Sequence, residues 1–260
     1  MTKPKRMIFF DIDGTLLDHH KQLPASAKEA VLALKDAGHE VAFATGRSPF
    51  MLKALQDELN IHSFVCFNGQ YVMLDNNVIY EQPIPTDVLD SLSAHTLQVG
   101  HPLVYLDHQV MRSSTPFHAH IEAGIGSLQY KHPVCDPEYY KERPIYQSML
   151  FCTEEEEWEY RQRFTQLQFV RWHPAAMDVL PAGGSKAQGI KRYIKQLGFA
   201  KEDVYAFGDN LNDLEMFSYV GHSIAMGNSP DSVKEAARYI TKDVSQDGIA
   251  YGLKLVGLLP

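Results

Sequence analysis

The chain of 260 residues has little cysteine and little tryptophan, with 3 and 2 copies respectively. Cys66, Cys135 and Cys152 are odd in number, far apart and form no Cys-x-x-Cys pair. This argues against a disulfide framework or a zinc knuckle and points to a reducing compartment. Long apolar runs are also missing. The run Met7-Ile8-Phe9-Phe10 follows the basic residues Lys3, Lys5 and Arg6 and stops at Asp11. It is too short for a signal-peptide core or a membrane span, so the expected location is the cytoplasm. Positive charge is in deficit: Lys and Arg number 24 against 32 Asp and Glu, a formal net charge of −8. A phosphate backbone or an anionic membrane surface would repel such a chain, and neither nucleic acid nor membrane is expected as a partner.

What is present is ordinary for a globular protein: 45% hydrophobic and 22% charged residues. The length suffices for a core without covalent staples and suggests between one and two domains. Met7-Ile8-Phe9-Phe10 reads as a buried strand closed by an Asp/Gly cluster. Residues 24–37 place Ala27, Val31 and Leu34 on one helical face, with Gly38 as the stop. Glu40–Ala44 reads as a second buried strand, 50–59 as a helix and 64–67 as a third strand. This alternation predicts an α/β fold with a parallel sheet covered on both faces. Residues 70–81 then read as a hairpin turning at Asp75-Asn76-Asn77. From about 86 to 184 the composition changes, with both tryptophans, most histidines and the acidic run 154–157. This stretch is expected to form an α+β insert with its own core. Strand–helix alternation resumes at Ser185, with a helix from Lys186, a strand over 204–207, and shorter elements to the end.

In an open parallel sheet, ligands bind beyond the carboxyl ends of the strands. The strand ends here carry Asp11-Ile12-Asp13-Gly14-Thr15, Thr45-Gly46-Arg47, Asn68-Gly69 and Gly208-Asp209-Asn210-Leu211-Asn212-Asp213, while Lys186 opens a helix. Side chains at i and i+2 of an extended segment point the same way, so Asp11 and Asp13 are expected to share one site. Close carboxylates repel, and a hard divalent cation relieves this. Asp209 supplies a third oxygen, and Mg²⁺ suits a sparse oxygen site that also takes a phosphate. Thr45 and the Gly46 amide can donate to phosphate oxygens, and Lys186 adds charge where the helix dipole favours an anion.

DIDGTLLD at 11–18, TGR at 45–47, Lys186 and GDNLND at 208–213 occur in the order of the four motifs of the haloacid dehalogenase-like (HAD) phosphatases. The chain resembles their Cof-like branch, with further likeness at 67–69, 225–237 and 247–253. The resemblance covers about 1–83 and 185–260. The segment Gly183-Gly184-Ser185-Lys186-Ala187 departs from it, since relatives commonly carry glycine after the lysine. The resemblance implies a Rossmann-like core and a phosphatase of sugar phosphates or similar small phosphorylated metabolites. It makes Asp11 the nucleophile that becomes an aspartyl-phosphate and Asp13 the general acid and base. It assigns Mg²⁺ to the Asp11 carboxylate, the Asp13 backbone carbonyl and Asp209. It gives phosphate binding to Thr45, Gly46, Lys186 and Asn212, and has Asp213 orient Lys186. Arg47 is expected either to contact substrate or to pair with an acidic neighbour, and Asn68 either to contact substrate or phosphate or to be a turn residue.

Motif spacing sets the domain plan. Between Asp13 and Thr45 there is room for one helix and one strand. Between Arg47 and Lys186, a helix, a strand and a hairpin use about 40 residues at ordinary lengths. About 100 remain, enough for a small domain. The expected division is a core over 1–83 and 185–260 with a cap over 84–184, hinged near Pro83, Pro85 and residues 181–184. Other chemistries fit less well. A calcium loop needs glycine at its sixth and Glu at its twelfth position, where Gly14 is fourth and Gln22 twelfth. His118 and His120 lack a second ligand pair for zinc. A phosphotransferase or mutase would use the same intermediate, and a non-catalytic phosphate sensor would be expected to lose Asp11 or Asp13.

Overall fold

A computed structural model describes residues 4–260, so Lys3 lies outside the described residues. The chain divides into two compact units. One comprises residues 4–47, Leu52–Tyr80 and Ser185–Pro260; the other comprises Ser48–Met51 and Glu81–Gly184. In chain order the first unit opens with β1 (Met7–Phe10), α1 (Ala25–Asp36), β2 (Glu40–Ala44), α2 (Lys53–Leu59), β3 (Phe64–Cys66), β4 (Tyr71–Leu74) and β5 (Asn77–Glu81). All four side chains of β1 are fully buried, as expected of a strand covered on both faces. Burying each of Phe9 and Phe10 stabilises the fold by roughly 1.5–3 kcal/mol. The helix expected over 50–59 begins as a 3₁₀ turn (Pro49–Leu52). The strand expected over 64–67 stops at Cys66, because Phe67 and Asn68 both take positive φ. The β4–β5 turn has Asp75 and Asn76 at φ 47° and 62°, the sign pattern that matches strand twist in a two-residue hairpin.

The second unit contributes α3 (Thr86–Val99), β6 (Leu103–Leu106), β7 (Met111–Ser113), α4 (Ala119–Ser127), β8 (Gln147–Leu150), α5 (Glu157–Arg163), β9 (Leu167–His173) and β10 (Ala176–Pro181). Its five strands form an antiparallel sheet in the order β7-β6-β8-β10-β9. Leu89 and Leu92 of α3 pack with Leu103, Leu150, Met177, Val179 and the Tyr160 ring of α5 in a separate core. Glu154, Glu155 and Glu156 of the acidic run are exposed, and only Glu157 is partly buried. Glu157 begins α5 and pairs with Arg161 and with Arg171 of β9, its side chain only 18% exposed. Glu156 stands at the N-cap of this helix, and its Oε2 accepts the Thr153 N–H at 2.8 Å.

The chain returns to the first unit with α6 (Lys186–Leu197), β11 (Val204–Gly208), α7 (Leu214–Tyr219), β12 (His222–Ala225), α8 (Asp231–Ala236), β13 (Tyr239–Ile240) and α9 (Gly248–Leu255). The completed eight-stranded sheet runs β13-β12-β11-β1-β2-β3-β4-β5. It is parallel from β13 to β3, and β4 pairs antiparallel to β3. This is a Rossmann-like α/β core carrying an α+β insert. Strand β1 is central, flanked by β11 and β2, so the segments after these three strands meet at one edge. Two glycines bring α6 down onto that edge. A Cβ on Gly189 would meet Val65 Cγ1 at 2.4 Å, and one on Gly69 would meet the Ser185 carbonyl oxygen at 2.0 Å. Among the described residues, no helix is long and apolar enough to cross a membrane.

Candidate active site

Beyond Phe10 the chain leaves the extended conformation. The Leu17 and Thr15 amides both donate to the Ile12 carbonyl, so the alternation that would align Asp11 with Asp13 breaks. The two carboxylates therefore take different partners, although the Asp13 charge still acts on Asp209. Asp11 turns inward and is 6% exposed. Asp13 takes a bidentate pair from Arg47, at 2.7 Å for each bond, and a 2.6 Å contact from Lys21.

The third member of the inward cluster is Asp213. Lys186 is fully buried, and its Nζ donates to Asp11 Oδ1 and Asp213 Oδ1, both at 2.7 Å. Asp213 Oδ2 accepts the N–H groups of Asp209 (3.0 Å) and Asn210 (3.1 Å). Gly208 makes this fit possible, since a Cβ there would lie 2.5 Å from the Asp213 carboxyl carbon. Asp11, Asp209 and Asp213 each offer an oxygen, all within 4.8 Å of one another. Thr15 donates its hydroxyl to Asp209 Oδ1 at 2.9 Å. Gly14, at φ +78°, leaves space that a Cβ would fill at 2.4 Å from Asp209 Oδ2. Asn228 donates to the Gly14 carbonyl at 2.8 Å and fastens that turn.

Electrostatics separate the carboxylates. Burial raises the Asp11 pKa well above its usual range; Lys186 opposes this, while Asp213 and Asp209 add to it. Burial and the neighbouring Asp213 lift Asp209 to about 6, against the Thr15 hydrogen bond. Burial also works to raise Asp13, but the hydrogen bonds and charge of Arg47, with Lys21, win and hold it at about 2. Burial disfavours the Lys186 charge, yet Asp11 and Asp213 overcome this and keep it protonated.

The remaining expected residues form a polar string on the β2–β3 side. Thr45 is buried, and its Oγ1 accepts the Arg47 N–H at 3.1 Å. The Thr45 carbonyl accepts the Asn68 N–H at 3.0 Å. Asn212 donates to Asn68 Oδ1 at 3.1 Å, and a Cβ on Gly46 would meet Asn68 Nδ2 at 3.0 Å. Arg47 pairs with an acidic neighbour, Asp13. Ala187, at the departure from the motif, is buried at 5% exposure.

The family model of the haloacid dehalogenase-like hydrolases matches residues 8–253. The chain belongs to this family. It is 46% identical over 254 residues to the candidate phosphatase YkrA of Bacillus subtilis (strain 168), covering 98% of each. The fold is similar to a Geobacillus kaustophilus HTA426 structure of unstated function at TM-score 0.93 and 51% identity, covering 98% of this chain and 100% of that one. It is also similar to the HAD subclass IIB sugar phosphatase BT4131, at TM-score 0.88 and 30% identity, covering 98% and 100%. This haloacid dehalogenase-like hydrolase is a phosphatase of the Cof-like branch. Three of its polar contacts had no separate signal in the sequence: Thr15, Lys21 and Asn228. Thr15 and Asn228 lie inside motif-like segments, whereas Lys21 follows no spacing rule and reaches Asp13 from a turn at φ 59°.

Proposed function

We propose that the chain is a Mg²⁺-dependent phosphatase of small phosphorylated metabolites, sugar phosphates among them, working through an aspartyl-phosphate on Asp11. The observation that carries this reading is the buried Lys186 ammonium, clamped between Asp11 and Asp213 with Asp209 alongside. Such a cluster is expensive to bury and has the charges needed to receive a phosphoryl dianion. The donor set fits a hard divalent cation: it is all oxygen, and Asp11 and Asp209 both sit above their usual range for want of a positive neighbour large enough to offset burial. Asp11, Asp209 and the Asp13 backbone carbonyl would hold the ion, since Asp213 is already taken by Lys186 and two backbone N–H groups. When bound, Mg²⁺ would neutralise charge on the phosphoryl oxygens.

The residues of the chain do the rest. Asp11 Oδ1 is engaged by Lys186, which leaves Oδ2 as the attacking oxygen. The Asp11 O–P bond forms as the P–O bond to the leaving group breaks, and the leaving oxygen takes a proton from Asp13. Water then attacks phosphorus, Asp13 accepts its proton, and Asp11 is released with inorganic phosphate. Clamped by Arg47 and Lys21, Asp13 is ionised, so acid catalysis requires it to leave those contacts and take up a proton before it meets the leaving oxygen. The Thr45 hydroxyl, the Gly46 amide, Lys186 and Asn212 hold the transferred phosphoryl group. The inserted unit acts as a cap that supplies substrate contacts and excludes water. The three free cysteines suit a reducing cytoplasm.

The test is phosphate release from a panel of phosphorylated metabolites, with and without EDTA. Turnover on sugar phosphates that EDTA abolishes and Mg²⁺ restores is the expected result. Turnover insensitive to chelation removes the metal. Phosphoryl transfer to a second sugar without release replaces the hydrolase with a transferase.

A further inference from the structure

The turns after β1 and β11 carry the oxygens that the Mg²⁺ reading assigns, from Asp11, Asp13 and Asp209. The turn after β12 carries none of them, yet it bonds to both. The Met226 N–H donates to the Gly208 carbonyl at 2.9 Å, and Asn228 Nδ2 donates to the Gly14 carbonyl at 2.8 Å. Gly208 immediately precedes Asp209, and Gly14 immediately follows Asp13. One turn therefore brackets the two others at the residues next to Asp209 and Asp13.

Each bracketed stretch is held at more than one point. The Asp209 N–H donates to Asp213 Oδ2, so the Gly208–Asp209 peptide is fixed at both its N–H and its carbonyl. The Gly14 N–H donates to the Leu17 carbonyl at 2.9 Å. N–H and C=O point opposite ways across a trans peptide, so this bond directs the Asp13 carbonyl away from Leu17. Gly14 also lies against Asp209, where a Cβ would meet Oδ2 at 2.4 Å, and the Thr15 hydroxyl binds Oδ1. A shift of the 13–15 turn would thus move the Asp13 carbonyl and loosen the Asp209 carboxylate together. Asn228 is itself held from behind. Its Oδ1 accepts the Val244 N–H at 3.0 Å, and a Cβ on Gly227 would lie 2.4 Å from the Asp243 amide nitrogen. With its donor and acceptor given to opposite neighbours, the amide has one orientation. We propose, on the Mg²⁺ reading above, that Asn228 is a positioning residue for the divalent-cation site and sets its affinity through the Gly14 turn. Groups that orient metal ligands without touching the ion are worth about 10–100-fold in metal affinity or activity.

Mn²⁺ is the probe, and its binding to the full chain is read from the free-ion EPR signal, without turnover. Asn228→Ala, and the milder Asn228→Ser, are expected to weaken Mn²⁺ at least about tenfold. The Mg²⁺ concentration for half-maximal phosphate release should rise by a similar factor, while the rate at saturating Mg²⁺ changes less than about threefold. Thr241→Val is the control for stability alone. It removes a buried hydroxyl bond to the Gly248 carbonyl in the segment behind Asn228 and should leave Mn²⁺ affinity unchanged. Asp209→Asn is expected to weaken Mn²⁺ more than either Asn228 variant. Unchanged Mn²⁺ affinity in both Asn228 variants while Asp209→Asn weakens it, or equal weakening by Thr241→Val, overturns the positioning role alone. No Mn²⁺ binding by the unaltered chain, or undiminished binding by Asp209→Asn, overturns the Mg²⁺ reading and the positioning role with it.

Discussion

The core unit and the inserted unit bury polar groups in different ways. In the core, charge itself is buried: Lys186 is inaccessible, and Asp11 and Asp213 are nearly so. In the insert, large buried polar side chains include Tyr105, Tyr139, Tyr140 and Tyr160, and the buried carboxylate Asp107 is held by the Tyr139 hydroxyl and the Gln109 and Val110 N–H groups. A buried hydroxyl needs one hydrogen bond, whereas a buried ion needs opposite charge or several donors around it. The core builds those surroundings from strand ends and glycine-shaped gaps. The contrast shows which unit stores electrostatic work for chemistry and which is free to vary its surface.

The sharpest way to break this contrast is Asp11→Asn, which should lower phosphate release by about 10³-fold or more while leaving the circular dichroism spectrum unchanged. If release persists, the buried charge has another purpose. Lys186→Met comes next. It leaves two buried carboxylates facing each other and should cost roughly 3–5 kcal/mol in urea unfolding. Adding Asp213→Asn to that variant should recover part of the loss.

Two core carboxylates should pull the pH dependence of stability in opposite directions. Asp209 rises from 3.8 unfolded to about 6 folded, so without metal the folded state binds the extra proton. Its stabilising contribution is therefore full below about pH 4 and lost as pH rises through about 6, a swing of about 3 kcal/mol at most. Asp13 falls from 3.8 to about 2, so its contribution is present above about pH 4 and lost as pH falls through about 2. Melting temperature against pH for Asp209→Asn and Asp13→Asn should separate the two slopes, and added Mg²⁺ should flatten the first.

Substitutions in the insert should act less. Glu157→Gln removes the partner of Arg161 and Arg171 and should cost about 1 kcal/mol, given its partial exposure and solvent screening. Trp158→Ala, at 69% exposure, should change stability by about 0.5 kcal/mol or less.

Legibility in the sequence divides along the same line. The core strands are short apolar runs ending in Asp or Gly, and a run buried on both faces is unambiguous once the next element is helical. β2 has the expected bounds and α6 the expected start. The insert has an antiparallel sheet with strands that mix polar and apolar residues, as in Leu167–His173. β6 is itself a buried apolar run ending at Asp107, and only the short β7 lacks a clear pattern. The same holds for contacts made by long side chains. Lys21 and Arg47 converge on Asp13 from separate loops, and no local pattern encodes where two flexible cations will meet.

The sequence by itself determined which residues stand at the strand ends, because period, apolar runs and turn residues are local properties. It thereby assembled the carboxylates, the threonine and the lysine on one edge, and it marked an insert between Arg47 and Lys186. Only the tertiary structure decided the pairing within that edge. Asp213, not the Asp13 carboxylate, joins Asp11 and Asp209, because the turn after Phe10 rotates Asp13 toward Arg47 while Gly208 admits Asp213 beneath β11. Such a choice depends on backbone direction beyond a strand end and on the space left by a missing Cβ, and both exist only once the elements have packed.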